Sequence, residues 1–448
     1  MNGENRAVDL DGGRKFPFPW PSRILGPTPG LKEMNLVCWG VFAALLVTRF
    51  CYPLWIQFRT GVGSFHIRPA DFIYFYGIGR IANEYPLARL YDYNLQLKTF
   101  NDIYALHDGA YGPSPYPPFV ALCFGPFARV PFVPAFFLWA SVSLALYLTG
   151  IAATVKGFFP WERLKVSLIF CFALAFAPFL YSTLANGQIG TVAVCSVGLA
   201  IAQDRRSKLF SSGLALSILA YKPTLLLLLI PMLLLTRRFR TLFGFITGVA
   251  ALILATTACA GTQIWASYAH FLRYFGRVAG FGGQPVLRLW KYVDFSSFFQ
   301  TVCGGRTMTE TVLFISVASA IAGTLAVLLW KSAGSGRPAQ SLAWAATLTW
   351  TLLLNVYVPG YDCVLATVAA IVTLGALKEL EWSTAMRWAV FLSIFICVAS
   401  WDSDAIAMRH GIQPLTILLA IFGLGQLFLL RRVIERELSE KVPVHCVG

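Results

Sequence analysis

Charge is scarce in this sequence. Asp, Glu, Lys and Arg make up 13% of its 448 residues and hydrophobic residues 57%, too little charge to cover the surface of a soluble chain this long. Histidine numbers only five. No Cys-x-x-Cys pair occurs and no His stands at metal-ligand spacing from a Cys, so neither a metal nor a cofactor site is indicated. The ten cysteines fall mostly inside apolar runs (Cys38, Cys171, Cys195, Cys259, Cys363, Cys397) and read as small packing residues. Gly-rich, Ser-rich and repeated segments are missing too, so nothing marks a second domain. The net charge of +15 would suit a nucleic-acid binder, but no basic stretch interleaves with aromatics on a polar module, and no nucleic acid is expected.

What the chain has is apolar runs of roughly 17–22 residues, the length that crosses a bilayer, recurring from Leu36 to Leu430. Lipid offers the backbone no hydrogen bonds, so such runs must be helices. A barrel is excluded because its strands would alternate polar and apolar. The expected fold is an all-α polytopic membrane protein of about 10–13 transmembrane helices. Two runs need comment. The 116–155 run is too long for one crossing, and Pro117, Pro118, Pro126, Pro131 and Pro134 should break off a short extra helix at its start. The 209–235 run begins and ends beside basic clusters. It should enter and return as a hairpin of short helices that breaks at Lys222, since Pro223 disfavours helix before it.

Basic residues cluster between the runs: Lys156/Arg163/Lys165, Arg205/Arg206/Lys208, Arg237/Arg238/Arg240, Lys331/Arg337 and Lys378/Arg387. The positive-inside rule puts these connectors in the cytosol. The chain then divides into a disordered cytoplasmic tail (1–33), one transmembrane domain (34–430) with outer loops at about 56–115 and 261–310, and a basic cytoplasmic tail (431–448).

Polar residues at the outer ends of the spans are functional candidates by default. Asp71 precedes Phe72, Tyr74, Phe75 and Tyr76, aromatics that suit an interfacial helix, and Arg80 follows. Asp71 could cap that helix or serve chemistry. Tyr91-Asp92 and Tyr116-Pro117-Pro118 come next, the latter equally readable as a structural turn. Asn186-Gly187-Gln188 joins two spans by almost nothing, so its amides must hydrogen-bond to each other or to a ligand. Lys222, flanked by Leu-rich runs, needs a carboxylate or a phosphate partner. Tyr361-Asp362 opens a span, as a cap or as part of a site. A topology derived from Lys and Arg thus gathers Asp71, Gln188, Lys222 and Asp362 on one side.

These motifs, in this order, resemble glycosyltransferase family 87: Asp71-Phe-Ile-Tyr-Phe-Tyr with Gly79-Arg80, Leu90-Tyr91-Asp92, Tyr116-Pro-Pro, Asn186-Gly-Gln, Lys222-Pro223 with Arg237-Arg-Phe-Arg, and Tyr361-Asp362. The resemblance implies a GT-C-type fold and a polyprenyl-phosphate-linked sugar donor, the family being one of polyprenol-phosphate-mannose-dependent mannosyltransferases. It further implies inversion at the anomeric carbon, with Asp71 as general base and the other motif residues binding substrate. A lipid or glycan acceptor would be used at the outer face of a bacterial plasma membrane, among membrane lipids. Some members carry a His where this chain has Tyr361-Asp362. The chemistry is self-consistent. One carboxylate can take the acceptor's proton, and a cation (Lys222 first, Arg80 second) can stabilise the phosphate as it leaves. No metal is required. The alternative class is a secondary transporter or lipid flippase, which would place its ionisable groups nearer the membrane midplane and show repeats.

Overall fold

The computed structural model describes residues 31–52, 71–103, 112–159, 162–278 and 288–441. The tail expected over 1–33 lies outside them up to residue 30, as do residues 53–70 and 104–111 of the first outer loop, 279–287 of the second, and 442–448. Among the described residues the regular structure is helical, with one isolated antiparallel bridge between Tyr292 and Pro359.

The chain opens with α1 (Leu31–Leu46), followed in the first loop by α2 (Phe72–Glu84) and α3 (Tyr93–Ile103). Prolines then divide the long apolar run as its sequence dictates. Pro117 and Pro118 start α4 (Pro118–Phe124), and Pro131 starts α5 (Phe132–Phe158), since a fixed φ and a missing N–H cost nothing at a helix start. The aromatics of α2 do not float at headgroup depth as expected. Phe72 and Phe75 are fully buried and pack on Phe124, Phe132 and Phe136, because α4 and α5 present an aromatic wall that covers them better than lipid would.

Next come α6 (Arg163–Ala175), bent by 56° into a wide π-type turn at Pro178–Ala185, and α7 (Gly190–Arg205). α5 and α7 cross through glycine. A Cβ at Gly150 would lie 2.4 Å from the Val194 carbonyl oxygen, and one at Gly198 would lie 2.3 Å from that of Gly150. Small residues that let backbones meet supply the packing that lipid cannot drive by hydrophobicity. The 209–235 run is a broken hairpin of α8 (Leu209–Leu216) and α9 (Leu229–Leu235), joined by two 3₁₀ turns that meet at Lys222. Its two ends return to one place, where Arg238 pairs with Asp204. α8 lies along α10 (Phe239–Ala260), with Gly213, Gly244 and Gly248 at the contact.

The second loop holds the amphipathic α11 (Gln263–Val278) and α12 (Phe295–Val302), and the chain ends in α13 (Met308–Lys331), α14 (Arg337–Leu353), α15 (Leu365–Glu379), α16 (Ser383–Ala399), α17 (Ser403–His410) and α18 (Pro414–Lys441). Among the described residues five helices are long and apolar enough to span a membrane, or up to seven if the bent pairs α6 with Pro178–Ala185 and α16 with α17 each count as one. α1, α7 and α14, at 16, 16 and 17 residues, are shorter. α18 runs on through most of the expected basic tail, where Arg431–Glu435 and Arg436–Glu440 pair one turn apart. α15 is among the most enclosed helices: with the turn before it, 72% of its most apolar window is buried, against 17% for α10 and for α13, whose outward Phe243, Ile246, Leu254 and Ile315 belong in lipid.

The bundle therefore has two chemically different ends. At one end the basic connectors bolt together. Arg205 pairs with Glu379 and donates to the Gly157 carbonyl at 3.0 Å, Lys378 reaches Glu162 at 2.9 Å, and Arg238 joins Asp204 and Gln340. α7 and α15 begin at the other end, and the hairpin breaks there.

Candidate active site

Asp71 immediately precedes α2 and makes no capping hydrogen bond to it, so the capping alternative does not hold. The Phe72 N–H instead donates to the Asn186 carbonyl at 2.9 Å, and the Gln188 side chain lies close enough to the Asp71 carboxylate to act on its pKa. Gly187 makes this possible. Its φ is +74° and an added Cβ would sit 2.6 Å from the Phe72 Cβ, a conformation and a space that only glycine fits. Trp139 Nε1 donates to the Gly187 carbonyl at 3.0 Å and fixes the turn from behind. Burial raises the Asp71 pKa above the usual carboxylate range, while the nearby Gln188 side chain and the charge of Lys291 pull it back.

Lys222 finds its partner in Asp362. Its ammonium also lies 4.6 Å from the centroid of the Tyr361 ring, within cation–π range. The two turns are tied again where Asn355 Nδ2 donates to the Thr224 carbonyl at 2.7 Å. The start of α7 fits against the same turn, since a Cβ at Gly190 would lie 2.8 Å from the Tyr361 carbonyl oxygen. Tyr116 bridges the halves. Its side chain lies beside Tyr361, and its pKa is pushed up by burial first, then by the charges of Asp362 and Asp71. Two acceptors here, Gln188 Oε1 and Asp362 Oδ1, are buried and have no hydrogen-bond partner among the described residues.

The structure thus brings together Asp71, Tyr116, Asn186, Gln188, Lys222, Tyr361 and Asp362. Tyr91 stands behind them: its hydroxyl donates to the Tyr116 carbonyl at 2.8 Å and its ring packs on Tyr268 and Phe271. Two expected residues do other work. Asp92 accepts from the Leu95 N–H at 3.1 Å and pairs with Arg89 at 2.9 Å; these contacts lower its pKa, Arg89 foremost. Arg80 lies about 13 Å along α2 from Asp71 and pairs with Glu84 at 2.7 Å.

The sequence reading missed the strand-like segment before α12. Asp294 is fully buried and accepts from the Ser297 N–H at 2.8 Å and the Val358 N–H at 2.7 Å. Val293 N–H donates to Val358 O at 2.9 Å. This clasp holds Lys291, whose carbonyl oxygen is 3.8 Å from where a Gly360 Cβ would be, close enough for its charge to act on Asp71. The Asp294-x-x-Ser297 cap was legible in the sequence, but its pairing with Val358 was not.

The arrangement offers a half-buried carboxylate and a half-buried ammonium at the same end of a membrane bundle, with tyrosines and unpaired acceptors beside them. No curated protein and no solved structure gives a significant match. The family model of glycosyltransferase family 87 matches residues 115–359, more than half of the chain. It takes in Tyr116, Asn186, Gln188 and Lys222, starting after Asp71 and stopping before Tyr361. The chain belongs to glycosyltransferase family 87, a GT-C family, and is an integral membrane glycosyltransferase.

Proposed function

We propose that this enzyme moves a hexose, mannose foremost, from a polyprenyl-phosphate-linked donor to a hydroxyl of a lipid or glycan acceptor. The reaction takes place at the outer face of a bacterial plasma membrane, with inversion and with Asp71 as general base. One observation carries this reading: Asp71 stands beside the Gln188 side chain and takes no part in capping α2. A secondary transporter or lipid flippase, the other class the sequence admits, is set aside by the family membership.

In the proposed step the acceptor oxygen attacks the anomeric carbon while the bond from that carbon to the phosphate oxygen breaks. The hydroxyl proton passes to Asp71, and the phosphate departs with the bonding electrons. A carboxylate with a raised pKa is, once ionised, a stronger base than an ordinary one. The leaving phosphate needs no proton from an acid, and nearby cations stabilise the charge it gains. Lys222 is steadied for that role by Asp362 and the Tyr361 ring, and Lys291 adds a second cation from the clasped loop. The unpaired acceptors Gln188 Oε1 and Asp362 Oδ1 suit sugar hydroxyls, which are donors.

The test is transfer in proteoliposomes supplied with polyprenyl-phosphate-mannose and membrane-extracted acceptors, with the anomeric configuration of the product read by NMR. An inverted mannoside made by the wild type and lost in Asp71→Asn supports the reading. Transfer from a nucleotide sugar instead, or retention of configuration, contradicts it.

A further inference from the structure

At the basic end of the bundle lies a second site unconnected with sugar transfer. A cavity of about 350 Å³ opens between α6, α15 and α16, roofed by α18 and edged by α1. Its walls are apolar: Leu168 and Phe172 from α6, Ala370 and Leu374 from α15, Val390 and Ile394 from α16. Two charged side chains line it, Lys165 and Lys378. Both belong to one end. Lys165 is in the first turn of α6 and Lys378 in the last turn of α15, and a single carboxylate, Glu162, contacts the two at 2.9 Å each. One positive charge is left over.

The dimensions decide among occupants. The lining runs from Ala366 to Lys378 on α15 and from Met386 to Cys397 on α16, about 17–18 Å at 1.5 Å per residue. That is close to the depth of one leaflet, half of a hydrocarbon core of about 30 Å. A polyprenyl chain reaching down from the Asp71 end would have no use for cations at the far end. A glycerophospholipid of the opposite leaflet would lay an acyl chain along the apolar wall and bring its phosphate to the lysines. We infer that this cavity is a binding site for an anionic glycerophospholipid of the leaflet remote from Asp71, with Lys165 and Lys378 holding the phosphate. Basic pockets between membrane helices bind acidic headgroups in this way.

The site is tested on the full-length protein purified from lipid nanodiscs containing phosphatidylcholine and phosphatidylglycerol in equal amounts, by native mass spectrometry of the retained lipid. The wild type should keep phosphatidylglycerol in preference to phosphatidylcholine. Lys165→Gln and Lys378→Gln should each weaken the preference about fivefold. Ala370→Trp, which fills the cavity and leaves both lysines, should lose bound lipid of either kind. Sugar transfer by correctly folded variants reports on the Asp71 site separately. Equal retention of the two lipids by the wild type, an unchanged preference in both lysine variants, retention by Ala370→Trp, or a polyprenyl phosphate as the retained molecule would each overturn the assignment.

Discussion

Lys222 and Asp362, 140 residues apart in the chain, form an ion pair where the broken hairpin meets the start of α15. The Asp362 side chain is 1% exposed and that of Lys222 18%. Desolvating two charges is costly, so the pair adds little net stability, but losing one partner strands the other. Asp362→Ala should therefore destabilise the protein by about 3–5 kcal/mol, seen as an earlier loss of the monodisperse peak on heating and chromatography. Replacing both residues together, as Lys222→Met with Asp362→Leu, should recover much of that stability while leaving sugar transfer abolished.

Asp294 and Val358 form the second fastening. Asp294→Ala leaves the buried N–H groups of Ser297 and Val358 without an acceptor, at about 1–3 kcal/mol apiece. It also releases the segment that carries Lys291. Faster proteolysis around residues 288–294 is expected, together with a lower melting temperature. An unchanged cleavage pattern would show that the clasp is held by other contacts.

How far the sequence revealed this protein follows from these two fastenings. Helix content, and which connectors share one end of the bundle, were legible because lipid forces long apolar runs into helices and Lys and Arg mark the connectors. The prolines at 117, 118 and 223 announced their breaks. Lys222 was recognisable as needing an anion, yet no local pattern says which carboxylate answers it. Asp71 was visible but ambiguous between cap and base, and only the structure shows that it makes no capping hydrogen bond. The partner of Arg80, Glu84, was not foreseen, because a motif fixes spacing along the helix and not which face turns to the site. Lys291 went unnoticed because its approach to Asp71 depends on a tertiary clasp.

Gly187 is the turn on which the position of Asp71 depends. Gly187→Ala must accommodate φ +74° and a Cβ 2.6 Å from Phe72, which pushes α2 and its preceding aspartate outward. A displacement of about 1 Å at a catalytic group can lower kcat by roughly 10²-fold. The expected signature is a fall in kcat larger than any rise in KM for the donor, measured on protein that still elutes as the wild type does.

The pH dependence has a definite sign. The proposed base, Asp71, would act only when ionised, so turnover should fall as the pH drops through its pKa, which burial has raised. Gln188 and Lys291 both lower that pKa. Gln188→Leu and Lys291→Met should each move the acid limb of the kcat/KM profile to higher pH. A limb that stays in place in both variants would mean that another group controls it.

Arg80 is a useful control because it pairs with Glu84 on a partly exposed face, an interaction worth at most about 1 kcal/mol. Arg80→Ala should transfer sugar at close to the wild-type rate, and a loss comparable to that of Lys222→Met would restore it to the site.

The most direct measurement is the single-turnover rate of sugar transfer by Asp71→Asn in proteoliposomes, beside wild type of equal folded content. Replacing the carboxylate with an amide of the same shape removes the base and leaves the packing of Phe72 intact. Loss of a general base predicts a rate lower by roughly 10²–10⁴-fold, with donor still bound. A variant that transfers sugar as fast as the wild type would contradict the account.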